Sequence, residues 1–511
     1  MSLLGIDAGT TGCKAAVFRD DGSLAASAYE EYAYRSPQPG QAELDPQAVW
    51  AAVKRVIAGA VSGSGADPVR ALAVTSMGEA VVPVTRDRRV LGPSLLNFDI
   101  RGQEYLSELR ERLPRERLYQ LNGNTLGNQY GLTKLMWIAR QRPELYERAE
   151  LFLNWSGFLS FMLGGQAAVD YSLANRSLLF DLDRRDWSAE LLAAAGLDRA
   201  KLPPPVAAGT PLGGVLPEAA AELGLPTRTA IVAGAHDQCA NAVGCGVTRE
   251  GEALFGLGTY LCIVPVHRSR PASGPMLGIG LNTEHHAVPG RFVSFLYNMG
   301  GALVRWYRDT FAAAEALLAR ERGREVYDAL FGELTGLPSE VLVLPHFSPT
   351  GPPDYIENSR GLITGLTLQT RRADILQGIL QSAVFDLKAC ADLLPRAGLS
   401  IRRYRAAGGG SRSDAWLRLC ADILGAPFVR PRVSEAGALG AAILAGAGTG
   451  VFRSIEEGAE RMVGIGDSFE PDPARAGRYA GLYERYRKLW PLLREFLTAS
   501  GPDSPSARSG S

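Results

Sequence analysis

An octapeptide near the start of the chain, Asp7-Ala8-Gly9-Thr10-Thr11-Gly12-Cys13-Lys14, gathers the groups that hold a phosphate. Its glycines let backbone N–H groups approach an anion, Thr10 and Thr11 add hydroxyl donors, Lys14 adds positive charge, and Asp7 can hold Mg²⁺ through water. Taken alone, the segment also fits a plain tight turn between two strands. A second turn of the same kind, Gly256-Leu257-Gly258-Thr259, weighs against that reading. Two such corners closing from opposite domains would grip a polyphosphate between them. The dipeptide Gly-Lys is absent and no complete GxGxxG occurs, so neither a Walker A loop nor a dinucleotide fingerprint is present.

Two further segments supply complementary chemistry. In AAGGGSRSDAWLRLCADILGAPF a strand end meets three glycines (Gly408, Gly409, Gly410) and then a helix with Trp416, Leu419 and Ile423 on one face. The glycines leave room for a flat base or ribose against the backbone; the alternative is a strand–helix turn with no ligand. In AIVAGAHDQCANAVGCG, Asp237 follows a strand and precedes a small-residue helix. Transfer of a phosphoryl group to an alcohol needs an acceptor for the hydroxyl proton, and a carboxylate at that helix N-terminus can serve. A helix-capping Asp without chemistry is the competing explanation.

The elements that must position these residues alternate in a way that implies an α/β protein. LLGIDAG and KAAVFRD flank the first Gly/Thr turn as a strand hairpin, and GEALFGLGTYLCIVPV repeats that arrangement near the midpoint. Asp45 is expected to cap a helix with Pro46 at its first position and Val49, Val53, Val56 and Ile57 on its buried face. RALAVTSMG and RTAIVAGAHD each read as a strand running into a loop, which is where α/β proteins place ligand contacts. With 511 residues the chain exceeds one core, and domains are expected at 1–246 and 247–495. The Ser/Pro/Gly-rich end, 496–511, is expected to be disordered. Lys plus Arg and Asp plus Glu both total 54, so no bulk charge draws the chain to nucleic acid or an anionic membrane. No signal peptide or bilayer-length apolar run is read, and six dispersed cysteines without CxxC imply reduced thiols and a cytoplasmic location. Adjacent His285 and His286 read as a loop pair rather than metal ligands.

In this order, the segments resemble the FGGY family of carbohydrate kinases over about residues 3 to 490. DAGTTGCK and GLGTY match its two phosphate motifs, PGQAELDP (39–46) its PGxxExDP loop, and SLLNFDIR (94–101) its strand ending in W-x-D-x-R. Lys134-Leu135-Met136-Trp137-Ile138 fits one signature, with Gly131 in place of a small Pro, Ser or Thr. GLITGL with Asp374, Ile375 and Gln381 fits the other, with Gly378 in place of Ala or Ser. AGGGSRSDAWLRLCADILG and EAGALGAAILA resemble the adenosine and connecting segments.

The resemblance implies two domains of the actin/Hsp70/hexokinase-like (ribonuclease H-like) fold around a central nucleotide cleft. It implies ATP and Mg²⁺ as cofactors and a small sugar or polyol as acceptor. Asp237 would be the catalytic base and, with Asp7, a metal-holding residue. Thr10, Thr11, Lys14, Gly258, Thr259, Gly301, Gly409, Gly410 and Asp414 would bind the nucleotide, and Met77, Gly78, Glu79, Asp99, Arg101 and Gln238 the sugar. Relatives of this kind often form homodimers. The texture is similar to xylulokinase-type members, which favours a ketopentose such as D-xylulose. However, Gly78 follows Met77 where those members commonly carry His, and Phe98 precedes Asp99 where they commonly carry Trp. Glu79 and the Asp237-Gln238 pair are similar to the glycerol-kinase branch, whose Tyr five residues before Lys134 is Gln129 here. Glycerol, gluconate and deoxyhexuloses therefore stay open as acceptors, as does a non-catalytic nucleotide-dependent regulator on the same fold.

Overall fold

A computed structural model describes residues 2–65, 67–432 and 435–498. Two mixed sheets carry the chain. The first has the order Pro211–Gly214, Ala230–Val232, Val69–Ser76, Ser2–Ala8, Gly12–Arg19, Leu24–Glu31. Ser2–Ala8 pairs antiparallel with Gly12–Arg19 and parallel with Val69–Ser76. The second sheet repeats this plan around Glu252–Leu257, antiparallel to Tyr260–His267 and parallel to Arg403–Ala407. The echo between DAGTT and GLGTY is thus structural: each is the corner of a hairpin between a central strand and its antiparallel neighbour.

The helix Pro46–Gly63 shows how the pattern builds the first half. Asp45 accepts hydrogen bonds from the amides of Gln47 and Ala48, Pro46 occupies the first turn, and Val49, Val53, Val56 and Ile57 are buried. The helix packs on the strands Gly12–Arg19 and Leu24–Glu31. Trp416, Leu419 and Ile423 are likewise buried in the helix Asp414–Leu424.

A third apolar cluster lies between the sheets and draws on both, from Leu3, Ala16, Ala71 and Val232 to Leu254 and Val264. Two small-residue helices fill it, Asp237–Gly244 and Ala436–Gly448. Although late in the sequence, Ala436–Gly448 packs against the first sheet. The approach is backbone to backbone: a Cβ on Gly5 would overlap the Ala438 carbonyl, and one on Gly440 the Ala240 carbonyl. Glycine is required there by space alone.

One flank is stitched by polar contacts between the halves. Tyr119 Oη donates to the Leu281 carbonyl at 2.5 Å, Arg270 pairs with Asp183 at 2.5 Å, and the His285 ring lies 3.0 Å from the Leu182 carbonyl. His285 and His286 are both buried; His285 ends the strand Glu284–His285, which corrects the loop expectation for it, and His286 follows in the loop. Residues 496–498 close the helix Leu489–Thr498, which corrects the disordered end by those three residues; 499–511 lie outside the described residues. All six cysteines are free, and no helix among the described residues is long and apolar enough to cross a membrane.

Candidate active site

The parallel strands Val69–Ser76 and Ala230–Val232 end side by side, with Ser76 bridged to His236. This register delivers Met77-Gly78-Glu79 and His236-Asp237-Gln238 to the same edge of the sheet. They line a cavity of about 510 Å³ together with Thr10, Asn97 and Arg176 from the first half. The opposite wall brings Gly258, Thr259, Tyr260, Cys262, Phe295, Tyr297 and Gly408 from the second. Both Gly/Thr corners therefore face one space. Gly301 sits just behind the second corner, its amide donating to the Gly258 carbonyl at 3.0 Å.

Asp237 is the first residue of its helix; the cap position is His236, whose side chain makes no capping bond. His236 Nε2 lies 3.2 Å from Asp237 Oδ1 but off-line, leaving Asp237 Oδ1 and His236 Nδ1 buried without hydrogen bonds. Burial, then the negative charges of Asp7 and Glu79, push the Asp237 carboxyl up to about 7. Burial likewise raises Asp7 to about 6, against the pull of Lys14. Burial and the neighbouring Arg176 hold His236 well below the ordinary imidazole value, so its ring is neutral. Two repelling, desolvated carboxylates with an orphaned oxygen suit a divalent cation. Among the described residues no group of three or more His, Cys, Asp or Glu forms a full protein cage. Mg²⁺ fits that arrangement, since it commonly takes one or two carboxylates and completes its shell with phosphate oxygens and water.

Several expected contacts lie elsewhere. Asp99 is fully buried and spends its carboxylate on the Ala42 amide at 2.6 Å and on Arg101, whose other arm reaches Glu43 at 2.6 Å. Neither residue lines the cavity; Arg101 instead stacks over Trp137, 4.9 Å from its ring centroid. Lys134 locks this loop by donating to the carbonyls of Asp99 and Arg101. In the W-x-D-x-R pattern the first position falls on Asn97, not Phe98, and Asn97 is the member that meets the cavity. Lys14 is paired with Glu435 at 2.5 Å. Thr11 is exposed at the hairpin tip. Gly410 is small because Trp416 and Leu257 crowd it, whereas Gly409 faces open space. Asp414 pairs with Arg430 at 2.9 Å.

Neither His236 nor Arg176 was expected to line the cavity. His236 stood in the quoted motif beside Asp237 and was legible there. Arg176 follows the helix Tyr171–Asn175 with no local signal. Its guanidinium binds Glu79 and, at 2.8 Å, Glu284 of the second half. Burial opposes that charge, but Glu284 and Glu79 carry its pKa well above the usual arginine value. A Cβ on Gly78 would stand 3.3 Å from both Arg176 Nε and His236 Nε2. The space a side chain at 78 would enter is thus already taken.

Residues 2–244 match the model of the FGGY family of carbohydrate kinases, N-terminal domain, and residues 266–449 that of its C-terminal domain. The chain belongs to the FGGY family of carbohydrate kinases. The kinase is 30% identical over 505 residues to an autoinducer-2 kinase of Yersinia enterocolitica, covering 96% of this chain and 93% of that one. It is 26% identical over 509 residues to a xylulose kinase of Bacillus subtilis, covering 97% and 98%. A crystal structure of xylulose kinase from Rhodospirillum rubrum superposes with a TM-score of 0.86 at 28% identity, covering 98% of this chain and 100% of that one. The architecture is accordingly the two-domain fold of these kinases.

Proposed function

We propose that the kinase transfers the γ-phosphoryl group of ATP to a hydroxyl of a short ketose, a ketopentose such as D-xylulose being the first choice. One observation carries the reading: Asp237, whose carboxylate Oδ1 makes no hydrogen bond, lines the cavity that both Gly/Thr corners share. Asp237 takes the proton of the attacking hydroxyl as the new O–P bond forms and the bond to the β-phosphate oxygen breaks. A carboxyl raised to about 7 is a stronger base than an ordinary Asp and is still about half ionised near neutrality. Thr10, Gly258 and Thr259 hold the phosphates, with Gly301 and Gly409 toward the rest of the nucleotide. Asp7 and Asp237 would hold Mg²⁺, which when bound neutralises charge on the phosphate oxygens. Met77, Glu79, Asn97 and Gln238 face the acceptor. The domain boundary falls near residue 246, between the helix Asp237–Gly244 and the strand Glu252–Leu257.

A second acceptor has support of its own. The relative from Yersinia enterocolitica acts on autoinducer-2 by its name, and Gly78 departs from the Met-His pattern of xylulokinase-type members. An ADP-release assay over D-xylulose, other ketoses, autoinducer-2, gluconate and glycerol decides between them, because the true acceptor raises turnover far above basal ATP hydrolysis. Asp237→Asn is expected to lower turnover by about 10²–10⁴-fold while still binding ATP. Near-normal turnover would remove Asp237 from the role of base.

A further inference from the structure

Arg176 takes no part in the proton and phosphoryl steps, yet it forms a wall of the cavity. A guanidinium has five N–H donors. One at Nε and one at a terminal nitrogen go to Glu79, and one at the other terminal nitrogen goes to Glu284 at 2.8 Å. The remaining two have no acceptor among the described residues. The plane is fixed by Tyr130 and Phe295, whose ring centroids lie 5.1 and 5.7 Å from its central carbon. A Cβ at Gly78 would stand 3.3 Å from Arg176 Nε, so a larger residue there would press on the guanidinium. Glu284 is itself anchored by Asn282 at 2.8 Å.

The charges on this wall do not cancel. Glu79 and Glu284 outnumber Arg176, so a carboxylate on an incoming molecule meets net repulsion. A neutral oxygen with two lone pairs meets a rigid donor. We propose that Arg176 is a specificity-determining residue: its free N–H groups bind the carbonyl oxygen of an uncharged hydroxy-ketone, and Glu79 with Glu284 turns sugar acids away. This inference rests on the phosphoryl-transfer reading above and names the acceptor class for it.

The test compares kcat/KM for the best ketose of the panel, for the polyol made by reducing its carbonyl, and for D-gluconate. It uses the full-length wild type, Arg176→Lys and Glu284→Gln. One charge-assisted hydrogen bond corresponds to about 10–100-fold, so the wild type should prefer ketose to polyol by about that factor. Gluconate should fare worse still. Arg176→Lys should shrink the ketose-to-polyol ratio by about tenfold, an effect that loss of packing alone would not produce. Glu284→Gln should raise the gluconate-to-ketose ratio by about tenfold; it keeps shape and size and decides the matter should Arg176→Lys not fold. A wild type that favours gluconate, or ratios that neither variant moves, overturns this inference and leaves the kinase reading intact. If no compound raises ADP release in the wild type, the phosphoryl-transfer reading falls and this one with it.

Discussion

The crossing of Ala436–Gly448 over the first sheet gives a sharp test of how the two acidic groups are held. In Gly440→Ala the new Cβ would stand 2.7 Å from the Ala240 carbonyl carbon, against about 3.5–4.0 Å for an unstrained carbon pair. The obstacle is backbone, so the helix must move by about 1 Å rather than a side chain turning aside. Ala240 belongs to the helix that begins at Asp237, and the moving helix also contacts the strand that carries Asp7. The displacement therefore changes the separation of the two carboxylates, and a shift of about 1 Å can cost on the order of 10² in rate. Gly477→Ala is the control, because it lies inside the helix Pro473–Tyr486 with nothing within 4 Å of a new Cβ. Both changes gain the same helix propensity, about 1 kcal/mol. Gly440→Ala should then fall about 1–3 kcal/mol below Gly477→Ala in urea unfolding, the usual range for overpacking. Turnover should fall about a hundredfold in the first variant alone. Equal stability and equal turnover in the two variants would refute the close approach.

Two other outcomes follow from the same geometry. Asp99→Asn should destabilise by about 1.5–3 kcal/mol, the worth of hydrogen bonds to a charged group, without a comparable rise in acceptor KM. A rise of about tenfold in KM at full stability would return Asp99 to the acceptor site. Burial holds His286 at about 4, below the unfolded value of about 6.5. The unfolded chain therefore binds the proton first, and this contribution to stability, complete above about pH 6.5, is lost as pH falls toward 4. His286→Gln should remove about 1 kcal/mol of the stability change between about pH 7 and 5.5, read by urea titration; an unchanged slope would place the imidazole in water.

What was legible in the sequence was local chemistry. The two Gly/Thr corners, the Asp45 cap and the strand before Asp237 each need particular residues at short spacing, so their types announce them. Long-range pairing left no such mark. Asp99 and Arg101 were expected as sugar ligands from the resemblance of SLLNFDIR to the family's W-x-D-x-R strand, yet the Ala42 amide and Glu43, far back in the chain, claim them. Lys14 is drawn to Glu435, 421 positions away. Arg176 was invisible because neither of its carboxylate partners is near it in sequence. Ala436–Gly448 looked like part of the second half, and only tertiary packing assigns it to the first sheet.

The stitched flank, where Tyr119 and Arg176 of the first half meet Leu281 and Glu284 and Arg270 of the second half reaches back to Asp183, can act as a spine for rotation of one half against the other. Opening about such a spine is rotation, and displacement grows with distance from the axis. Arg176, which is part of that spine through Glu284, would travel least if the halves opened about it. Such an opening must also break Lys14–Glu435 and Arg461–Asp20, which cross between the halves elsewhere.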